Sequence, residues 1–280
     1  MTKYSLKKIV CILALVSASA ALPTYGFTAT LKLGGTGAGL GAMKLLADAY
    51  KKHAPDTTIE ILPSIGSSGG IKAVTAGAID IGISSRPLKD DERTQGVQEW
   101  AYAKTPFVFA THQKSPQTQL TSAEIVAIYA GTVTKWTDGT AIRLVLRPQT
   151  EADTLLMKQV IPGMEAALEK AYGRRGLPIA TTDQEAADNI QKFVGGVGPS
   201  TLALILAEGR PLKALAFDNV VPTVANLGNG TYPMSKSFYL ITAINHRPEV
   251  QEFINFMRSD QGIAILRRTG HLVLTPKINK

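Results

Sequence analysis

Three short turns rich in glycine and serine limit what this chain can fold into, because each stands where an apolar strand hands over to a helix. They are Gly34-Gly35-Thr36-Gly37-Ala38-Gly39, Gly66-Ser67-Ser68-Gly69-Gly70 and Ile83-Ser84-Ser85-Arg86-Pro87-Leu88. Residues 29–33, 58–62 and 78–84 read as strands. Residues 42–53 and 71–76 read as helices, with the first turn running over 34–41. This alternation predicts an α/β chain with a doubly wound sheet, in which the C-terminal strand ends bring all three turns to one edge. Such turns expose backbone N–H groups and hydroxyls at helix starts, which hold an anion without a metal or cofactor. One composite anion site is the expectation.

The texture changes from Thr121. Thr121 and Glu124 form a capping box that opens a helix over 125–129. Residues 106–111, 141–146 and 238–243 read as strands, and 201–207 as a strand-like or buried run. Pro148 to Thr154 opens another helix, and 182–192, 249–258 and 260–268 are helical. A second α/β unit with a helix-rich tail fits two lobes. The expected division is 1–29 as a signal peptide, 30–110 plus 235–280 as the first lobe, and 111–234 as the second. The tail packs on the first lobe.

The leader has a basic start (Lys3, Lys7, Lys8), an apolar run over 9–22, and small-residue cleavage sites at Ala18-Ser19-Ala20 or Phe27-Thr28-Ala29. A run of about 14 residues is short for a membrane span of about 20. A secreted, periplasmic protein follows. Cys11, the sole cysteine, lies in the run after Val10, which argues against lipid attachment. The mature chain is then cysteine-free, without disulfide, thiolate nucleophile or cysteine metal site. Removing the leader lowers the net charge from +8 to +5, with 27 basic residues against 22 acidic. No lysine or arginine block appears, which excludes nucleic acid as a partner. A mild positive balance suits a small anion. His53, His112, His246 and His271 are scattered and make no metal motif.

Each turn admits more than one reading. Gly35 to Gly41 is spaced like a loose dinucleotide turn, with Glu60 about 20 residues past it. It also reads as a steric glycine turn, or as an anion contact with Thr36 as hydroxyl donor. The Ser67-Ser68 turn lacks the lysine of a nucleotide loop, so ATP hydrolysis is not implied. It is either a plain serine cap or a set of donors for one anion. No Gly-x-Ser-x-Gly elbow marks a hydrolase.

Taken in order, these motifs resemble a known family. The Gly/Thr turn is followed by Gly-Ser-Ser-Gly-Gly, then by Asp80-Ile81-Gly82-Ile83-Ser84-Ser85-Arg86-Pro87-Leu88. Ile128-Tyr129-Ala130-Gly131, Lys135-Trp136, Arg147, Gly198 and Tyr232-Pro233 come after. The order resembles the periplasmic phosphate-binding proteins of ABC transporters, the PstS-like branch of the type II solute-binding fold, over nearly all of the mature chain. The resemblance implies two lobes, each a doubly wound mixed sheet flanked by helices, closing on phosphate or a related oxyanion. It implies donors at Thr36 and Gly37, at Ser67, Ser68 and Gly69, and at Ser84, Ser85 and Arg86, with Arg147 from the second lobe. It also implies an inner-membrane permease as partner, a monomer, no cofactor and no enzymatic activity.

One departure stands out. Where the family places Ser-Gly-Thr at a helix start, this chain has Glu151-Ala152-Asp153. Free carboxylates repel phosphate in a dry cleft. Three readings stay open. The carboxylates serve their own helix N-terminus outside the cleft, with Thr150 as cap. Alternatively, one accepts a hydrogen bond from a protonated ligand. In the third, the ligand carries a positive group and the fold serves as a sensor or scavenger. For Arg147, an ion pair with Asp153 or Glu151 is the alternative to ligand binding. For Arg86 it is a solvated loop position.

Overall fold

The computed structural model describes residues 29–274; the expected leader therefore lies outside the described residues, apart from Ala29. The chain opens with β1 (Ala29–Gly35), α1 (Gly37–His53), β2 (Thr57–Ile61), α2 (Gly66–Thr75), β3 (Ile81–Ser84), α3 (Asp90–Arg93) and the long β4 (Val97–His112). The middle holds β5 (Gln119–Leu120), α4 (Ser122–Ala130), β6 (Arg143–Leu144), α5 (Ala152–Val160), α6 (Met164–Gly173) and α7 (Asp183–Gln191). It continues through β7 (Gly196–Thr201), α8 (Leu202–Ala207), β8 (Leu212–Ala214), β9 (Ala216–Phe217) and α9 (Val224–Gly228). β10 (Ser235–Ala243), α10 (Pro248–Arg258), α11 (Asp260–Arg268) and β11 (Leu272–Val273) follow.

The main strand order is β2-β1-β3-β10-β4-β7-β6. β1 runs parallel to both β2 and β3, so the turns after all three strands share one edge, as doubly wound connections require. β10 is antiparallel to β3 and β4. β4 serves both halves of the molecule. Its first part pairs with β10, and the stretch from Phe107 to Thr111 pairs with β7.

The two largest clusters of buried apolar side chains flank this shared strand. In one, Met43, Leu46 and Tyr50 of α1 pack with Phe238 and with Phe253, Phe256 and Leu266 of the last two helices. In the other, Phe107, Phe109, Tyr129, Met157, Leu168 and Tyr232 pack together. Each such buried side chain contributes about 1.5–3 kcal/mol of transfer free energy. The closing helices thus lie on the first core, and the molecule is a two-lobed mixed α/β fold.

Local differences from the sequence reading have physical causes. α1 begins at Gly37, so most of the glycine turn is helix. Its glycines serve close approach. A Cβ on Gly37 would collide with Gln184 Oε1, and Gly35, at φ +142°, lets Ile83 come against its backbone. α2 begins at Gly66. The 201–207 run is α8, capped by the Thr201 hydroxyl accepting the Leu204 N–H at 3.1 Å. The box at Thr121 and Glu124 forms as expected. α6 has no counterpart in the sequence reading.

Candidate functional site

The three donor turns do meet. Thr36 follows β1 and caps α1, with its N–H bonded to Ile83 O at 2.8 Å. Across the same edge, the Ser85 N–H donates to Ser67 Oγ at 2.9 Å, and the two hydroxyls lie 3.0 Å apart. Ser84 is fully buried and turns its hydroxyl inward to Arg86 O at 2.6 Å. Ser68 is exposed and accepts from Arg86 Nη2 at 3.0 Å. Gly69 packs its backbone against Ile65.

Arg86 is not a free loop arginine. Its guanidinium makes a two-pronged pair with Glu92 of α3, both contacts at 2.7 Å. Those bonds hold the Glu92 carboxyl down at about 2, against the opposing effect of burial. The sequence reading weighed solvent or ligand for Arg86; the chain's own carboxylate takes it instead.

The centre of the site is a buried polar cluster. Arg147 is 3% exposed. Its Nε donates to Asp153 Oδ2 at 3.3 Å and its Nη1 to Ala180 O at 2.7 Å. Asp153 is equally buried and lies 2.7 Å from Lys236 Nζ. Lys236 also donates to Asp183 Oδ1 at 3.1 Å, with Arg147 Nη2 at 3.9 Å from the same oxygen. The other Asp183 oxygen accepts the Ala38 N–H at 3.1 Å and the Thr36 hydroxyl at 3.4 Å.

Two helix starts therefore face each other across Asp183, the first residue of α7, with α1 opposite. Both dipoles favour a negative charge there. Burial alone would raise the Asp183 carboxyl. The charges of Lys236 and Arg147, with bonds from Lys236 and Ala38, outweigh it and hold it at about 2. Burial alone would lower the Lys236 ammonium; Asp153 and Asp183 hold it above its ordinary value. Two cations and two carboxylates cancel.

A cleft of about 290 Å³ opens beside this cluster, lined by Ser85, Arg86, Asp153, Ser235, Lys236 and Tyr239 among others. Asp153 thus reaches the cleft. Glu151 stands half-exposed at the N-cap of α5, with no side-chain cap bond, in the place the sequence reading gave to Thr150. It takes no part in the cluster's ion pairs.

Sequence reasoning missed Asp183, Gln184 and Lys236. For Asp183 no local signal exists, since its partner Ala38 lies 145 residues away. For Lys236 a signal existed. Along β10, Lys236, Phe238 and Leu240 share one buried face by strand alternation, so the lysine had to point inward.

The family profile described as PBP superfamily domain matches residues 20–261. SphX of Synechococcus elongatus is 26% identical over 258 residues, covering 83% of this chain and 74% of that protein. The phosphate-binding protein PstS of Pseudomonas aeruginosa is 25% identical, covering 95% and 90%. A Clostridium perfringens protein assigned as a phosphate ABC transporter substrate-binding protein, solved with bound phosphate, superposes with a TM-score of 0.73. It is 25% identical, over 88% of this chain and all of that one. The periplasmic molybdate-binding protein of Azotobacter vinelandii shares the fold with a TM-score of 0.63, at 16% identity over 88% of this chain and all of that one. With a two-lobed sheet, donor turns gathered on one edge and a profile match over most of its length, the chain belongs to the PBP superfamily.

Proposed function

We propose that this protein captures phosphate, or a related small oxyanion, between its two lobes and passes it to an ABC permease in the inner membrane. The observation that carries the reading is the superposition on a phosphate-bound relative over 88% of the chain, with three donor turns on one edge of the sheet. The ligand's oxygens would take N–H and hydroxyl donors from Thr36 and Gly37, from Ser67, Ser68 and Gly69, and from Ser85; Ser84, fully buried with its hydroxyl on Arg86 O, stays out of the set. Arg147 supplies charge and Asp153 accepts a ligand proton; Arg86, paired with Glu92, and Glu151 stand apart from this set. Neutral donors fixed by the fold bind an oxyanion without large reorganisation.

The lobes are taken as 30–110 plus 235–280 and 111–234. The packing of Phe107 and Phe109 in the second core favours moving the first crossing a few residues earlier. A periplasmic, monomeric protein with a cleaved leader completes the reading. None of the helices among the described residues is long and apolar enough to cross a membrane. The reading is of a binder rather than an enzyme, because the relatives carry binding-protein names. Release of phosphate from a phosphomonoester would overturn that part. The two cluster carboxylates favour one alternative, a zwitterionic ligand for the same cleft.

Thermal unfolding of the mature protein with and without millimolar inorganic phosphate tests the reading. A ligand at about 100 times its Kd adds about 2.7 kcal/mol. For a chain of this size that is a Tm rise of roughly 5–10 °C. No rise with phosphate, sulfate or molybdate, and a rise with an aminoalkyl phosphonate, would select the zwitterion.

A further inference from the structure

We propose that Asp183 is a tethered competitor for the ligand: its carboxylate occupies the oxyanion seat at the start of α1 and latches the lobes together until a free anion displaces it. The proposal rests on the oxyanion reading above and adds the group that sets its apparent affinity.

The seat is defined by what surrounds the carboxylate. A backbone N–H at a helix start (Ala38) and a hydroxyl (Thr36) hold one oxygen; two cations, Lys236 and Arg147, face the other. These are the donor types that hold a small oxyanion. A carboxylate needed only to neutralise Lys236 has no reason to aim its second oxygen at α1. Asp183 starts α7, in the half that holds Arg147 and Asp153, whereas Thr36 and Ala38 belong to the half with the first core. The same bonds therefore fill the seat and join the halves. Beside them, Gln184 Nε2 donates to Gly37 O at 2.9 Å, an approach that the missing Cβ at Gly37 permits.

A phosphate and the Asp183 carboxylate exclude each other from this seat by charge and by space. With Asp183 withdrawn, Lys236 and Arg147 face only Asp153, and the seat gains one net positive charge. A population held in the latched form lowers the apparent affinity by the fraction left competent.

The test is Asp183→Asn in the mature protein, with inorganic phosphate binding measured by equilibrium dialysis. The distance between spin labels at Lys52→Cys and Glu169→Cys is measured without ligand. Both positions are exposed, and the chain's sole cysteine, Cys11, lies in the leader. The expected result is phosphate affinity raised by about tenfold or more, with a distance distribution shifted to longer values. Unchanged or weaker affinity in a folded variant, while the parent protein binds, overturns the proposal. Should neither protein bind phosphate, the distances decide: a longer distribution keeps the latch and removes the oxyanion reading, and an unchanged one removes both. Asp183→Ser, which keeps a short acceptor for the Ala38 N–H, is the second variant if Asn does not fold.

Discussion

The two faces of the cleft are built from opposite materials. On the face formed by β1, β2, β3 and their following turns, the polar groups are backbone N–H groups, serine hydroxyls and an arginine neutralised by Glu92. On the face formed by α5 and α7, the helix starts carry Asp153 and Asp183, both buried and both answered by cations. One face offers donors with no net charge. The other supplies its own anions. A relative with hydroxyls at the α5 start would present donors on both faces; here the second face has exchanged donors for charges that must be matched in pairs. The first face should therefore tolerate truncation with modest loss of stability, whereas the second should not.

The largest expected effect comes from breaking the paired charges. Lys236→Met removes the ammonium that sits 2.7 Å from Asp153 and 3.1 Å from Asp183. Two buried carboxylates are left with Arg147 alone, a loss of about 3–5 kcal/mol. Urea unfolding reads this as a lower midpoint at unchanged slope. A loss below about 1 kcal/mol would mean the cluster is wetter than its burial indicates.

Acid separates the two halves next. His271 is fully buried against Tyr102 and Phe238 in the first core. Burial pushes it down to about 4, outweighing the ring's hydrogen bonds to the backbone of Leu266 and Thr269. The unfolded chain binds this proton at about pH 6.5 and the native one does not. Stability is therefore full above about 6.5 and falls as the pH drops towards 4, by up to about 3 kcal/mol. Asp183, held at about 2, contributes stability above its ordinary value near 3.8 and loses about 2 kcal/mol only as the pH falls further, towards 2. Unfolding free energies across this range should show two regimes, and His271→Leu should remove the upper one alone. A slope that survives in that variant would reassign it.

The sequence carried the first half well because its signals are local. A strand, a glycine or serine turn and a helix lie within a few residues of one another, and parallel pairing then fixes where the turns gather. The capping box at Thr121 and the ion pair open to Arg147 were legible for the same reason, since Asp153 lies six residues from its partner. Asp183 was not legible, because its meaning depends on α7 meeting α1 across the cleft. Arg86 was legible as a position but not as a state. Glu92, six residues on, stands in an acidic run that reads only as the first turn of α3.

The smallest effect tests the tolerant face. Ser67 Oγ accepts the Ser85 N–H, and the pair is half-buried, so water can replace the lost hydroxyl. Ser67→Ala should then cost about 1 kcal/mol of stability or less, a net value typical of one neutral hydrogen bond. Its effect on phosphate should be larger in proportion, about tenfold to a hundredfold in Kd, because a hydrogen bond to a charged oxygen contributes about 1.5–3 kcal/mol. Isothermal titration and urea unfolding of the same preparation give both values. A stability loss as large as that of Lys236→Met, with phosphate binding unchanged, would make Ser67 a brace for β3 and erase the contrast between the faces. The expected pattern, affinity lost while stability holds, would leave Ser67 on the receiving face and Lys236 on the self-supplied one.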